Sequence, residues 1–238
     1  MITLYHAPTT RSFRIKWLLK ELDLPYVERL IDFYGTDRHT PEYRRINPMG
    51  SMPAMQDGDL TLTESGAIVN HIIRNHGRGR FAYPHNSADE AMVDEWMYWS
   101  EGLFAVHQRM YWDHGIGAPG CIGEADKVPS VGKYGKRYAI RYAATIERTL
   151  RNDGFMVGDD LTGADFMLCH PLFLANLEDW FADLPKIRAY VDRFSARPAF
   201  KAALEDTMLA LEKFADPSKT FESFRSFEPD GVWSLPAS

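Results

Sequence analysis

Two short stretches place polar groups where a chain ordinarily avoids them. The first is INPMGSMPAM, residues 46–55. Proline removes a ladder donor and is rare inside a central strand, so Pro53, set between Met52 and Ala54, interrupts an otherwise apolar run. Two readings are open: an ordinary trans proline at a strand start, or a segment that presents its own backbone polar groups to something outside the sheet. The second stretch is TES, Thr63 to Ser65, where a strand-like run hands over to a helical one. Free N–H groups and the positive end of the helix dipole are available there for an anion. Ser65 as a plain N-cap, with Glu64 as a solvated charge, is the other reading.

A third stretch is EWMYWSEGLFAVHQRMYW, residues 95–112. Aromatic and methionine residues at helical spacing ordinarily mean core. Trp96, Met97, Tyr98, Trp99, Phe104, Met110, Tyr111 and Trp112 nevertheless occupy too many faces for one core. Some of them are expected to line a hydrophobic pocket or a dimer contact, and Tyr98, Gly102 and Tyr111 are singled out as a set. The eight histidines contain no HxxxH or HExxH pair, and no metal is assigned. Cys121 and Cys169 lie far apart, form no CxxC, and read as incidental thiols of a reducing compartment.

The elements that must carry these groups follow from periodicity. Ile2 to His6 reads as a strand ended by Pro8. Ile15, Leu18, Leu19 and Leu22 lie on one helical face, and LPYVERLIDF reads as a second strand, giving a right-handed βαβ unit. A helical turn opens at Thr40-Pro41, and strands around MPAMQ and LTLT join through the Asp57-Gly58-Asp59 turn. Ser65 to His76 is helical. Beyond HGRGRFAYPHN the pattern is helical throughout. It opens on an S-x-x-E capping box at Ser87–Glu90 and breaks at HGIGAPGCIG, RNDGFMVGDD, ADLP and SARP. In LTGADF, Thr162 and Asp165 fit a capping box, with Leu161 and Phe166 as its staple; the role of Asp165 is structural. The division is residues 1–80, a small α/β domain; 81–86, a linker; 87–215, an all-helical domain; and 216–238, an extended tail with Phe221, Phe224, Phe227 and Trp233 as surface anchors.

Length and composition suit one large or two modest domains with a substantial core. Residues 1–80 carry 11 Lys and Arg against 9 Asp and Glu; the remainder carries 16 against 24. The acidic larger part argues against a phosphate backbone as main partner, so no nucleic acid is expected. No run approaches membrane-spanning length, and the chain reads as cytoplasmic.

The order βαβ-ββα then all-α, with PMGSMPAM, LTESGAIVNHI, LTGADFMLCHPL and RPAFKAAL in sequence, resembles a cytosolic glutathione S-transferase over residues 1–210. The resemblance implies a thioredoxin-like N-terminal domain and an all-α C-terminal domain with the electrophile site between them. It implies glutathione as co-substrate and a homodimer. In this family the bond before the residue matching Pro53 is cis, and the main chain at Met52, beside Ser51, grips the cysteinyl part of glutathione. Ser65 would bind the γ-glutamyl carboxylate, Glu64 the α-ammonium, and Arg38 and His39 the glycine carboxylate. The thiol-activating residue falls in APTTRSFRI. A thiol near pKa 8.5 is mostly protonated at neutral pH, and a hydroxyl donor at a helix start stabilises the thiolate. Thr10 ranks first, then Ser12, then Thr9, with Arg11 assisting electrostatically. Threonine here departs from the commoner serine. The implied activity is attack of the glutathione thiolate on a hydrophobic electrophile; the alternative is a non-catalytic binding or assembly module on the same fold.

Overall fold

The computed structural model describes residues 1–33, 35–115 and 124–214. Strand β1 (Ile2–His6) pairs in parallel with β2 (Tyr26–Leu30), from Ile2 opposite Tyr26 to His6 opposite Leu30. Helix α1 (Ser12–Glu21) makes the crossover. On the other side of β1 lies antiparallel β3 (Ala54–Asp57), followed by β4 (Leu60–Leu62), so the sheet order is β2-β1-β3-β4. Gly58 holds the hairpin turn at φ +59°, a left-handed conformation that glycine adopts without a Cβ penalty. Between β2 and β3 come a 3-10 turn (Asp37–His39) and α2 (Pro41–Ile46), capped by the Thr40 hydroxyl. Helix α3 (Ser65–His76) completes the mixed four-stranded unit.

The rest is helical: α4 (Ala88–Trp99), α5 (Val106–His114), α6 (Pro129–Thr149), α7 (Gly163–Leu177), α8 (Pro185–Ser195) and α9 (Pro198–Phe214). The thioredoxin-like α/β plus all-α class expected from the sequence is the fold observed. The surface anchors proposed for the tail lie outside the described residues, as does Cys121.

Three local expectations change. Helix α1 buries far more than one face: Phe13, Arg14, Lys16 and Trp17 are enclosed along with Ile15, Leu18 and Leu19. The cause is tertiary, because α3, α7 and α9 all pack on it. At Ser87 the hydroxyl accepts the Glu90 N–H at 3.1 Å, but the Glu90 carboxylate takes the N–H of Asn86, one residue earlier than a capping box requires. The long aromatic helix is broken by a π-helical turn, Ser100–Ala105. Proline 171 lies inside α7 and cannot donate to the carbonyl of Met167 four residues back. Ser100 Oγ donates to that carbonyl instead, at 3.0 Å. Gln108 Nε2 donates to the Pro171 carbonyl at 2.8 Å. The π turn therefore sits where the α7 ladder is interrupted: the Ser100 hydroxyl replaces the donor that proline removed, and Gln108 of α5 adds a bond to the proline's own carbonyl.

Asp165 performs the structural role expected of it. Its fully buried carboxylate accepts from the Thr162 N–H (2.7 Å), the Met156 N–H (2.9 Å) and the Tyr190 hydroxyl (2.5 Å), tying the start of α7 to the preceding loop and to α8.

Candidate functional site

The Met52–Pro53 bond is cis. The turn before it is held from α2: Tyr43 Oη and Asn47 Nδ2 each donate to the Ser51 carbonyl at 2.7 Å. Gly50, at φ +62°, lies so close to the Arg38 carbonyl that a Cβ would approach it to 2.7 Å. Both of these holds act on neighbours of Met52. Among the described residues, no turn or loop hydrogen bond engages Met52's own N–H or C=O. Its side chain is buried with Ala7, Tyr43 and Ala54, which leaves the main chain as the polar surface offered.

Ser65 is not the cap of α3. Glu64 is the N-cap residue, exposed and extended at φ −96°, ψ 126°, while buried Ser65 is the first helical residue. The Ser65 hydroxyl accepts from Arg14 Nη1 at 3.0 Å. Arg14, whose side chain is completely buried, also donates to Glu101 Oε1 at 2.5 Å, and its Nε and Nη2 have no partner among the described residues. Arg11 Nε lies 2.9 Å from the second Glu101 oxygen. Burial pushes the Glu101 carboxyl up, but the charges of Arg14 and Arg11 outweigh it and hold it below the ordinary range. The start of α3 therefore combines free helix N–H groups with a buried guanidinium directly behind a serine hydroxyl. Such an arrangement favours an anion.

The hydroxyl cluster resolves into distinct environments. Ser12 Oγ is fully enclosed, 2.8 Å from His6 Nδ1 and 3.1 Å from the Ala7 N–H that donates to it. His6 Nε2 faces Asp206 Oδ2 of α9 at 2.9 Å, and Lys16 Nζ meets the same oxygen at 2.6 Å. Burial raises the Asp206 carboxyl, yet the hydrogen bonds from His6 and Lys16 dominate and lower it well below its ordinary value. Ser12 Oγ also lies 3.1 Å from the Ala7 carbonyl, so its hydrogen is committed inside the fold, to that oxygen or to His6 Nδ1. Thr10 Oγ1 is half-buried, 2.7 Å from Ser12 Oγ and 2.8 Å from the Ala7 carbonyl. The Thr10 hydrogen can turn away without leaving a group stranded, because Ala7 O still takes the Thr10 N–H (3.3 Å) and Ser12 Oγ still takes the Ala7 N–H. Thr9 adopts φ +67°, and its carbonyl accepts from His170 Nε2 at 3.1 Å. Burial, and then the Arg14 charge, push His170 down to about 3, so a neutral ring donates that bond.

Arg38 and His39 both lie on the 3-10 turn beside Gly50. The Arg38 guanidinium covers the Phe33 ring at 4.7 Å, and the His39 Nδ1 meets Arg44 Nη2 at 3.3 Å. The proposed aromatic set is not gathered in one place. Tyr98 is 76% exposed on α4, and Gly102 lies in the π turn with open space where a Cβ would be. Tyr111 packs edge-on against Trp180 at 4.9 Å, inside the helical domain. Trp96, Met97 and Phe104 are core. Sequence reasoning missed Glu101, His6, His170 and Asp206: a lone polar residue in an apolar pattern gives no sign of a partner up to 200 positions away. Cys169 is buried, which pushes its thiol up, and its Sγ–H faces the Phe166 carbonyl at 3.1 Å.

Comparison with known proteins follows the same lines. Residues 1–74 match the family described as "Glutathione S-transferase, N-terminal domain", and residues 122–207 match "Glutathione S-transferase, C-terminal domain". The crystal structure of a glutathione S-transferase from Actinobacillus pleuropneumoniae is 30% identical. It superposes with a TM-score of 0.71, covering 94% of this chain and 99% of that one. Glutathione S-transferase 3 of Schizosaccharomyces pombe is 27% identical over 239 residues, 91% of this chain and 95% of its own. The disulfide-bond oxidoreductase YfcG of Escherichia coli is 27% identical over 227 residues, 90% of this chain and 99% of its own. Among the described residues, no helix is long and apolar enough to cross a membrane.

Proposed function

The chain belongs to the glutathione S-transferase family, and we propose that it binds glutathione and activates its thiol for attack on a hydrophobic, aromatic electrophile. The observation that carries this reading is the Arg14–Ser65 pair at the start of α3. A γ-glutamyl carboxylate received there meets the Ser65 hydroxyl, helix N–H groups and a buried positive charge. Glu64, exposed beside it, takes the α-ammonium. The Met52 main chain pairs with the cysteinyl residue, Ser51 flanks it, and Arg38 and His39 face the glycine carboxylate. Thr10 donates to the thiolate in this reading, because its hydrogen is free to turn; Ser12 supports Thr10 and does not reach the ligand. Thr9 shapes the loop, and Arg11 adds positive charge nearby.

The electrophile lies against Gly102 and the π turn, between the domains. Tyr98 and Met92, both exposed on α4, suit a contact with a second copy, and the reading includes a cytoplasmic homodimer. Calorimetric titration with glutathione tests the first step, with submillimolar binding expected; no binding at millimolar ligand would refute it. Turnover on a panel of aromatic halides, epoxides and aryl ethers tests the second. Tight binding with no turnover on any of them would leave the non-catalytic module as the better reading. The oxidoreductase name of one relative adds a disulfide substrate to that panel. Among the described residues Cys169 is the only cysteine, and its burial disfavours the thiolate that a mixed disulfide needs, so an exchange that does not use Cys121 would run through two glutathiones.

A further inference from the structure

At the far end of α3 from the glutathione site, three side chains converge. Asp57 closes strand β3 at the hairpin turn, while His71 and His76 come from the middle and the last turn of α3. His71 Nε2 lies 2.8 Å, and His76 Nε2 2.6 Å, from the same Asp57 oxygen, Oδ2. All three ligand atoms fall within 4.8 Å of one another. The side chains are 18%, 30% and 19% exposed for His71, His76 and Asp57 respectively, so a hydrated ion can reach them and water can complete its shell. Along the helix axis Ser65 is about 9 Å from His71 and about 16 Å from His76. The glutathione reading does not use this cluster.

We propose that Asp57, His71 and His76 form a binding site for a divalent transition-metal ion of the zinc type. Two imidazoles and one carboxylate are a ligand set that Zn2+ accepts, with open positions left for water, and one that Mg2+ and Ca2+ do not favour. In the metal-free arrangement each ring donates its Nε2–H to the shared oxygen. An ion with bonds of about 2.0–2.2 Å takes the place of those two hydrogens, and the donor atoms spread to roughly 3.3 Å apart, a shift of about half an ångström or somewhat more. Each ring then carries its proton on Nδ1. For His71 that nitrogen faces the Asn75 side-chain amide at 3.2 Å; the same amide nitrogen donates to the His71 carbonyl at 3.0 Å, so the Nδ1 proton of the metal-bound ring goes to water or requires the amide to give up that bond. The five-residue spacing of the histidines and the strand origin of Asp57 explain why no HxxxH search finds the site.

The competing explanation is a hydrogen-bonded strap tying the β3–β4 hairpin to α3, and the experiment separates the two. Full-length protein, stripped with a chelator and dialysed, is titrated with Zn2+ by calorimetry and with Co2+ by visible absorption. One equivalent of Zn2+ per chain is expected, with Co2+ bands of four- or five-coordinate intensity. His71→Ala, His76→Ala and Asp57→Asn should each weaken Zn2+ binding tenfold or more while leaving glutathione binding unchanged. His76→Gln is the decisive variant, since its amide can still donate to Asp57 and keep the strap yet is a poor ligand. Equal Zn2+ binding by wild type and His76→Gln, or no binding by wild type at millimolar ion, overturns the proposal. Glutathione titration of each variant reports whether the chain is folded, independently of the metal.

Discussion

Thr10 and Ser12 are two residues apart, but their different enclosure predicts different consequences of mutation. Thr10→Val keeps the shape and removes the donor, so the thiol of bound glutathione should rise by about a unit or more, since one charge-assisted hydrogen bond is worth about 1.5–3 kcal/mol. Affinity should change little, while turnover at neutral pH should drop about tenfold and recover partly in alkali; ultraviolet thiolate absorbance against pH measures the shift directly. Ser12→Ala should act on stability. It strands His6 Nδ1 and the Ala7 N–H in the interior, for about 1–3 kcal/mol in denaturant melts. Thr10→Val leaving the thiol unmoved, with Ser12→Ala shifting it, would reverse these roles. Asp206 carries a pH dependence with a definite sign. Its carboxyl is lowered in the folded state from an ordinary value of 3.8. The stability it contributes is therefore complete above about pH 4 and is lost as pH falls from there through the folded value. Asp206→Asn should be less stable at neutral pH and should lose less on acidification below pH 4, as followed by urea melts at each pH.

At the scale of elements, the junction of the π turn with α7 makes a closed cycle. Ser100→Ala leaves the Met167 carbonyl unpaired and should cost about 1–3 kcal/mol. Pro171→Ala restores a main-chain donor to that same carbonyl, so the double variant should recover much of the loss; a coupling energy near zero in the double-mutant cycle would contradict this account. Helices α5 and α6 approach closely through Gly135, where a Cβ would come within 2.5 Å of the His107 carbonyl. Gly135→Ala should push the two helices apart and cost about 1–3 kcal/mol, read as a lowered melting temperature.

Across the whole molecule, Glu101 is one of the polar links between the domains: it projects from the π turn of the helical domain to Arg11, the N-cap residue of α1, and to Arg14 within it. Glu101→Ala leaves Arg14 buried with its charge unopposed. Because Glu101 is itself one-third exposed, the cost should fall short of the about 3–5 kcal/mol of a fully enclosed pair. Glutathione affinity should fall with it, since Arg14 positions Ser65. Calorimetry on the folded variant checks this; unaltered affinity would mean that Arg14 holds Ser65 without help from the second domain.

Periodicity, turn chemistry and caps were legible in the residues themselves, because each is decided within a few positions. The run of β1, the face of α1 carrying Ile15 and Leu18, the Asp57-Gly58 hairpin, α3 and the Asp165 cap all follow from local rules. The resemblance carried by the flanking motifs pointed to a cis bond at Pro53 and to Ser65 and Thr10 as ligand groups. Long-range pairing decided the rest. His6 lies where an apolar residue fits the strand pattern, and only α9, folded back on α1, shows that Asp206 and Lys16 share its proton network. Ser12 and Thr10 are chemically interchangeable on the page, and enclosure alone separates them. Arg14 reads as an ordinary helix charge until Ser65 and Glu101, 51 and 87 positions away, close on it. Local conformation is set by neighbours in the chain, whereas the state of a polar side chain is set by whatever tertiary packing brings against it.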